Sequence, residues 1–378
     1  MRFRQVYLLI LVALTVVVVV SATSGKVGPF RWKVDITSES GNMSASLEYY
    51  PSAESSASIS RPSEGLSVFL LSNQMGSVKV RGVDSDQIEI SYTIKVYAET
   101  QEQADEYLDS CSISADKQDD RLSVRLIRPV PTTHEIKGVV VDYDVSVPHG
   151  IELDIDNRFG TADVSHYNGD VTLDNQFGAT TVNDIVGDVV VQAGYGRFSV
   201  TDITGNAVVQ SSFASRMSDI ADVDGAVTLQ LQYGDDVELR NVTKPVNVSA
   251  GFSKLALANV DGSAQIDSQY SNITASNIKG PIKVTSRFDT IRLSRVVNPV
   301  DLKARYANVH IGLVDEHEAT GGFSFDLRVR YGNIKSGIPL EEDKVSSTET
   351  LASGKYGLGA IPITAETHYT DIRLTLDD

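Results

Sequence analysis

The sequence predicts an all-β protein. It is expected to be a parallel β-solenoid, a two-sheet flattened β-helix of about 18 residues per coil, with a strand-rich, one-helix N-terminal cap. Two residue ladders and one alternation pattern carry this expectation. Phe159, Phe177, Tyr195, Phe213, Tyr233, Phe252, Tyr270, Phe288 and Tyr306 follow one another at 18, 18, 18, 20, 19, 18, 18 and 18 residues. Gly169, Gly187, Gly205, Gly225, Lys244, Gly262, Gly280 and Asn298 keep step with them. Apolar residues stand six and four positions before the aromatics, as with Val189 and Val191 or Ile282 and Val284. A fixed period of this length marks a solenoid, in which each repeat is one coil laid on the last.

The chain opens with Arg2 and Arg4, then an apolar run from Val6 to Val20 broken only by Thr15, then Val20-Ser21-Ala22. Residues 1–22 therefore read as an export signal cleaved after Ala22 or, if retained, as an N-terminal anchor. The run has 15 residues, short of the about 20 that a membrane helix needs. Either outcome puts the folded part in the periplasm, at the cell surface or outside the cell. Residues 23–64, with Ser52, Ser55, Ser56, Ser58, Ser60 and Ser63 crowded together, read as a flexible Ser/Gly-rich linker in which Phe30 to Val34 could form a short strand.

Residues 65–148 form the expected cap and first strands. Leu66 to Leu70, Val78 to Val80, Ile88 to Tyr92, Leu122 to Ile127 and Val139 to Val147 alternate as strands do. Glu99 to Ser110, rich in Glu, Gln and Ala, is the one helical candidate. Cys111 is the only cysteine, so no intramolecular disulfide can form, and it reads as a small core residue.

Residues 149–313 are the regular coils. Leu153, Val171, Val189, Ala207, Val227 and Val246, with Ile155, Leu173, Val191, Val209, Leu229 and Val248, share one parity and point inward. A second strand follows each aromatic, as at Leu255 to Leu257 and Ile273 to Ala275, so a coil holds two strands and two turns. The coil from Phe213 carries two extra residues, with Ser215-Arg216-Met217-Ser218 interrupting its second strand. The aromatic column has two readings, an exposed platform for stacking sugars or a core ladder at one edge of the sandwich. Shared parity and the small residues two positions earlier, such as Ala193, Ser211 and Ala250, favour the core. Truncating a buried ring such as Phe252 to Ala would cost about 3–5 kcal/mol.

Repeats such as Gly169-Asp170-Val171-Thr172-Leu173 and Gly187-Asp188-Val189-Val190-Val191 follow a strand-rich opening, a short acidic helix and the step Val147-Pro148-His149-Gly150. In these features residues 65–378 resemble the putative adhesin family of bacterial envelope proteins. The resemblance implies a β-solenoid and a surface location, and it supplies no catalytic residues.

In residues 314–378 the period lengthens: Tyr306 to Tyr331 and Tyr331 to Tyr356 are each 25 residues, and Tyr369 follows after 13. These residues are expected to form longer C-terminal coils and a cap. Glu341-Glu342-Asp343 should loop out before a closing strand from Asp371 to Leu376.

The net charge is −17, from 33 basic and 50 acidic residues, which argues against nucleic-acid binding. The six histidines fall in no metal-ligand pattern, so no metal or cofactor is expected. The carboxylates are dispersed rather than paired in a cleft, which favours a non-enzymatic protein over a polysaccharide-active β-helix enzyme. An accessory or sensor domain of an envelope-stress system is the other alternative. Asp184, Asp202 and Asp222, continued by Asn241, Asn259 and Asn277, read as a structural turn column.

One surface feature stands out. On the outward parity of the first strand the charge changes sign along the stack, from Asp154, Asp156 and Asp174, through Gln192, Gln210 and Gln230, to Arg287, Lys303, Arg305, Arg328 and Arg330. Stacking would set Arg287, Arg305 and Arg330 about 5 Å apart. Like charges that close cost about 1–3 kcal/mol per pair before solvent relieves them. The row is therefore the candidate site, for an anionic surface glycan or an acidic protein partner. Otherwise it is a solvated face or pairs with acids around Glu341.

Overall fold

The computed structural model describes residues 47–130, 135–215, 217–234, 236–315 and 321–377. The export signal or anchor of residues 1–22, the Phe30 to Val34 strand, Arg216, His134 and His317 lie outside them. The described chain is built on two long sheets of 15 and 16 strands, and successive coils contribute one strand to each. Within the regular coils all pairing is parallel, and the register is kept except for a shift between Leu293 and Val296 where Thr290–Val296 meets Asn308–Leu313. Leu173 on the strand Val171–Phe177 lies between Ile155 of the coil before and Val191 of the coil after.

Register follows from burial. Leu153, Leu173, Val191, Val209 and Leu229 are fully or almost fully buried on one sheet, and Val182, Val200, Ile220, Leu239 and Leu257 on the other. Because strand side chains alternate, a one-residue slip in any coil would turn its apolar set out to solvent.

The turns explain the residue ladders. His166, Asp184, Asp202, Asp222, Asn241, Asn259, Asn277 and Arg295 all hold left-handed backbone, with φ between 51° and 57°. Among residues with a side chain, Asn and Asp tolerate that region best, which accounts for most of this column. At the other turn coils stack glycine over glycine. A Cβ on Gly205 would lie 2.1 Å from the carbonyl oxygen of Gly187, and φ there is 153°.

The cap is an excursion from the stack. After the first coil, Val68–Asn73 and Val78–Val83, the chain leaves through the strand Gln87–Ala98, the helix Gln101–Asp109 and the strands Ser112–Gln118, Arg121–Ile127 and Ile136–Pro148. It returns at Glu152–Phe159, which pairs with Val68–Asn73. Thr100 closes the helix N-terminus with a capping box: its hydroxyl accepts from the Gln103 backbone N–H, and the Gln103 side chain accepts from the Thr100 N–H. Ala104 seats the helix against Ala53 and Ala98. At the return step Tyr167 is buried beneath Pro148 and Ile151, where its hydroxyl accepts from the Ile151 N–H and donates to the Ile151 carbonyl, with the Pro148 carbonyl 3.2 Å away. Burial pushes its pKa up to about 12.

The expected linker of residues 23–64 needs correction at its C-terminal end. Ser52–Pro62 is an eleven-residue antiparallel strand on Gln87–Ala98, in unbroken register from Ser52 with Tyr97 to Pro62 with Gln87. It is an edge strand with most side chains exposed, so serine suits it. Backbone pairing holds it rather than an apolar face.

The C-terminal end also departs from expectation. Glu341–Ser346 does not loop out but pairs antiparallel with Glu349–Tyr356. The last coil, Ile361–His368 and Ile372–Leu376, inserts between an earlier pair: Ile361–His368 lies between Val300–Arg305 and Phe323–Arg330. The sheet order therefore does not follow the chain order here.

Candidate anion-binding rows and the aromatic corner

The aromatic ladder runs along the corner where each coil passes from one sheet to the other. Eleven rings stack face to face from Phe159 to Tyr306, then Tyr369, then Tyr331, with centroids 4.5 to 5.3 Å apart. Tyr356 does not join the stack; the inserted Tyr369 stands between Tyr306 and Tyr331. The expected core ladder is not what forms. Phe252 is 54% exposed and Tyr306 50%, and from Phe213 onward every ring of the ladder is an exposed residue.

For six of these rings the reason is local. Phe252, Tyr270, Phe288, Tyr306, Tyr331 and Tyr369 have left-handed backbone, φ 52° to 60°, so the strand alternation ends one residue before them. The sugar platform fares no better, because each internal ring face is covered by the next ring and solvent meets only ring edges.

The inner side of the corner is polar. Turning the backbone leaves amides and carbonyls there that need partners. In the early coils Asn73 donates to Asn157, and Asn157 to Asn175, with Asn175 donating on to the Ala179 carbonyl and the Thr180 hydroxyl. In the later coils the buried Asp289 accepts from the Ser268 and Ser286 hydroxyls at 2.5 and 2.6 Å and from the Ser271 N–H at 2.6 Å.

Beside the ladder, on the outer face of the 16-stranded sheet, lie the basic residues singled out in the sequence. Arg287 and Arg305 are direct neighbours on adjacent strands, and Lys303 lies two residues from Arg305 on the same strand. All three are exposed and have no ion pair among the described residues. The expected contact of Arg305 with Arg330 does not occur, because the inserted strand puts His368 between them and Glu366 between Lys303 and Arg328. Arg328 and Arg330 both bond one oxygen of Glu349, at 2.5 and 3.0 Å. Those bonds hold the Glu349 carboxyl below the usual range. The five cations thus separate into a group without ion pairs, Arg287, Lys303 and Arg305, and a pair that shares Glu349.

The opposite sheet carries a row that sequence reasoning missed. Arg292, His310, Arg373 and Lys335 occupy one outward position on four neighbouring strands. Their order in space differs from their order in the chain, so the spacing exposes only the Arg292–His310 pair. At the early end, Asp156 and Asp174 are register neighbours, and burial, then the Asp156 charge, raises the Asp174 pKa. Among the described residues no group of three or more His, Cys, Asp or Glu is arranged to hold a metal ion.

No family model and no curated protein matches the chain. Solved structures similar to it are a putative cell adhesion protein from Clostridium sporogenes, a putative adhesin from Parabacteroides distasonis and a putative adhesin from Parabacteroides merdae. The first has 8% identity and a TM-score of 0.20, over 86% of this chain and 100% of that one. The second has 9% identity and a TM-score of 0.27, over 85% and 97%. The third has 16% identity and a TM-score of 0.23, over 68% and 94%. Likeness of this degree leaves the role of the chain to its own geometry.

Proposed function

We propose that this chain is an exported, non-enzymatic binding module of the adhesin type, which holds an anionic surface glycan against the outer face of its late coils. The observation that carries the reading is the cationic group Arg287, Lys303 and Arg305. Three exposed cations of one sign gather on neighbouring strands of a chain with net charge −17. Glu366 and Asp301 lie nearby but, among the described residues, form no ion pair with these three, and arginine forks suit carboxylate and sulfate groups. A flat parallel sheet also repeats every ~4.8 Å, which lets one extended polymer meet several coils.

The test is a binding screen of the chain against charged and neutral glycans at two salt concentrations. Anionic glycans should bind, more weakly at high salt. Binding should vanish in the double variant Arg287→Glu, Arg305→Glu with the melting temperature nearly unchanged. Equal binding of neutral glycans, or binding that survives the double reversal, would overturn the assignment.

A further inference from the structure

We propose that the row Arg292, His310, Arg373 and Lys335, on the face opposite the first group, is a second oxyanion site, in which Arg292 and Arg373 clasp a sulfate or carboxylate group over His310. The site uses none of Arg287, Lys303 or Arg305 and stands or falls without them.

The geometry is set by register. Arg292 pairs with His310, His310 with Arg373 and Arg373 with Lys335, each one strand from the next. Arg292 and Arg373 therefore flank the imidazole at ~4.8 Å on either side along the sheet. Both arginines are exposed and, among the described residues, form no ion pair, while Lys335 is held by Asp371 at 2.6 Å. His310 is half-buried between them, and its Nε2 lies 2.9 Å from the Thr375 hydroxyl.

The charged groups facing the ring are Arg292 from one neighbouring strand and Arg373 and Asp377 from the other side. Burial first, then the two arginines, hold the imidazole below its ordinary pKa, and Asp377 opposes them. Two guanidiniums on either side of the imidazole disfavour a further positive charge on it. A bound oxyanion would reverse that, satisfying two planar forks at once and turning the imidazole into a third donor.

The row is assembled only in the finished fold. Arg373 reaches it on the inserted strand Ile372–Leu376, and Lys335 lies beyond it although it comes earlier in the chain. The site therefore requires a correctly docked C-terminal coil, which gives it a signature distinct from general surface charge.

The experiment follows the His310 ring by NMR titration in the full chain, with sodium sulfate and separately with dextran sulfate. Sulfate stays fully ionised across the titration, so any pH dependence belongs to the protein. Both probes should raise the His310 pKa, and sulfate should bind about tenfold more tightly at pH 5 than at pH 8, as one added charge beside a half-exposed anion implies. Arg373→Gln should abolish the shift, and Arg287→Glu should leave it intact. A His310→Gln variant, followed by calorimetry, should keep weak binding and lose its pH dependence. An unmoved His310 pKa with both probes, or the same shift in Arg373→Gln, would refute the site. If only dextran sulfate acts, and Arg373→Gln removes its effect, the site holds and needs a polymer's multivalency.

Discussion

The left-handed backbone at the aromatic corner makes a sharp stability prediction. Phe252 has φ 52° and stacks between Tyr233 at 5.3 Å and Tyr270 at 4.9 Å. Being 54% exposed, it buries somewhat under half of its surface. An aromatic side chain offers ~200 Å² in all, so roughly 90 Å² is covered here, worth ~2 kcal/mol, with ~1 kcal/mol more from stacking. Phe252→Ala should therefore cost ~3 kcal/mol, at the foot of the range for a buried ring. Phe252→Gly should cost less than Phe252→Ala. Glycine escapes the ~1–2 kcal/mol left-handed penalty that alanine keeps, and this outweighs its ~0.5–1 kcal/mol entropy disadvantage. At Phe177, which ends an ordinary strand, no such relief exists and alanine should be the milder change. The four variants should be compared by thermal melting and by hydrogen exchange of the Val246–Gly251 and Val189–Gly196 amides, since coils can open locally. Alanine proving milder at both positions would show that the corner relaxes and that its backbone does not set the ladder.

The other expectations concern buried and titrating carboxylates. Asp289→Ala strands two serine hydroxyls and one backbone N–H; with partial re-pairing of Ser268 and Ser286 the cost should be ~3 kcal/mol, and Asp289→Asn should cost less. Equal melting temperatures for wild type and Asp289→Ala would contradict that account. Asp174, whose pKa is raised in the fold, should destabilise the protein when ionised. That penalty is present above its folded pKa and disappears as pH falls towards the unfolded value, ~3.9. Asp174→Asn should thus raise the melting temperature at pH 7, with the gain shrinking on acidification. Glu349, whose pKa is lowered, has the opposite sign. Its contribution is present above ~4.3 and lost as pH falls through the depressed value, so Glu349→Gln should destabilise at pH 7 and matter little in acid. A pH-independent effect in either variant would refute the corresponding assignment.

The coils were legible because repetition and alternation are written directly in the residues: the inward columns at Leu153, Leu173 and Val191 are buried as their parity requires. The same parity misled at the aromatics, since alternation holds only while the strand lasts and an aromatic residue gives no sign of left-handed backbone. A better signal lay two residues earlier, where Asn157, Asn175, Ser268 and Ser286 are polar on an inward column and mark a turn to be satisfied. Two of the five cations, Arg328 and Arg330, were misjudged because Glu349 and the inserted Glu366 come from segments whose place in the stack is not periodic. For the same reason the Arg292–His310–Arg373 row was invisible. Ser52–Pro62 looked like linker because an edge strand held by its backbone needs no apolar pattern.

The inserted last coil bears on the order in which this protein can become itself. A solenoid can grow coil by coil from its first turn as the chain emerges, each new strand finding a finished template. Here growth must stop at Asn308–Leu313, because Phe323–Arg330, though next in the chain, has its parallel partner only in Ile361–His368. The antiparallel strands of residues 323–356 pair among themselves and meet the regular coils only through Ile361–His368 and Ile372–Leu376. A chain ending before Ile361 would leave Val300–Arg305 with an open edge. Ile361–His368 and Ile372–Leu376 thus join the segments of residues 323–356 to the regular coils, much as a keystone joins the two sides of an arch.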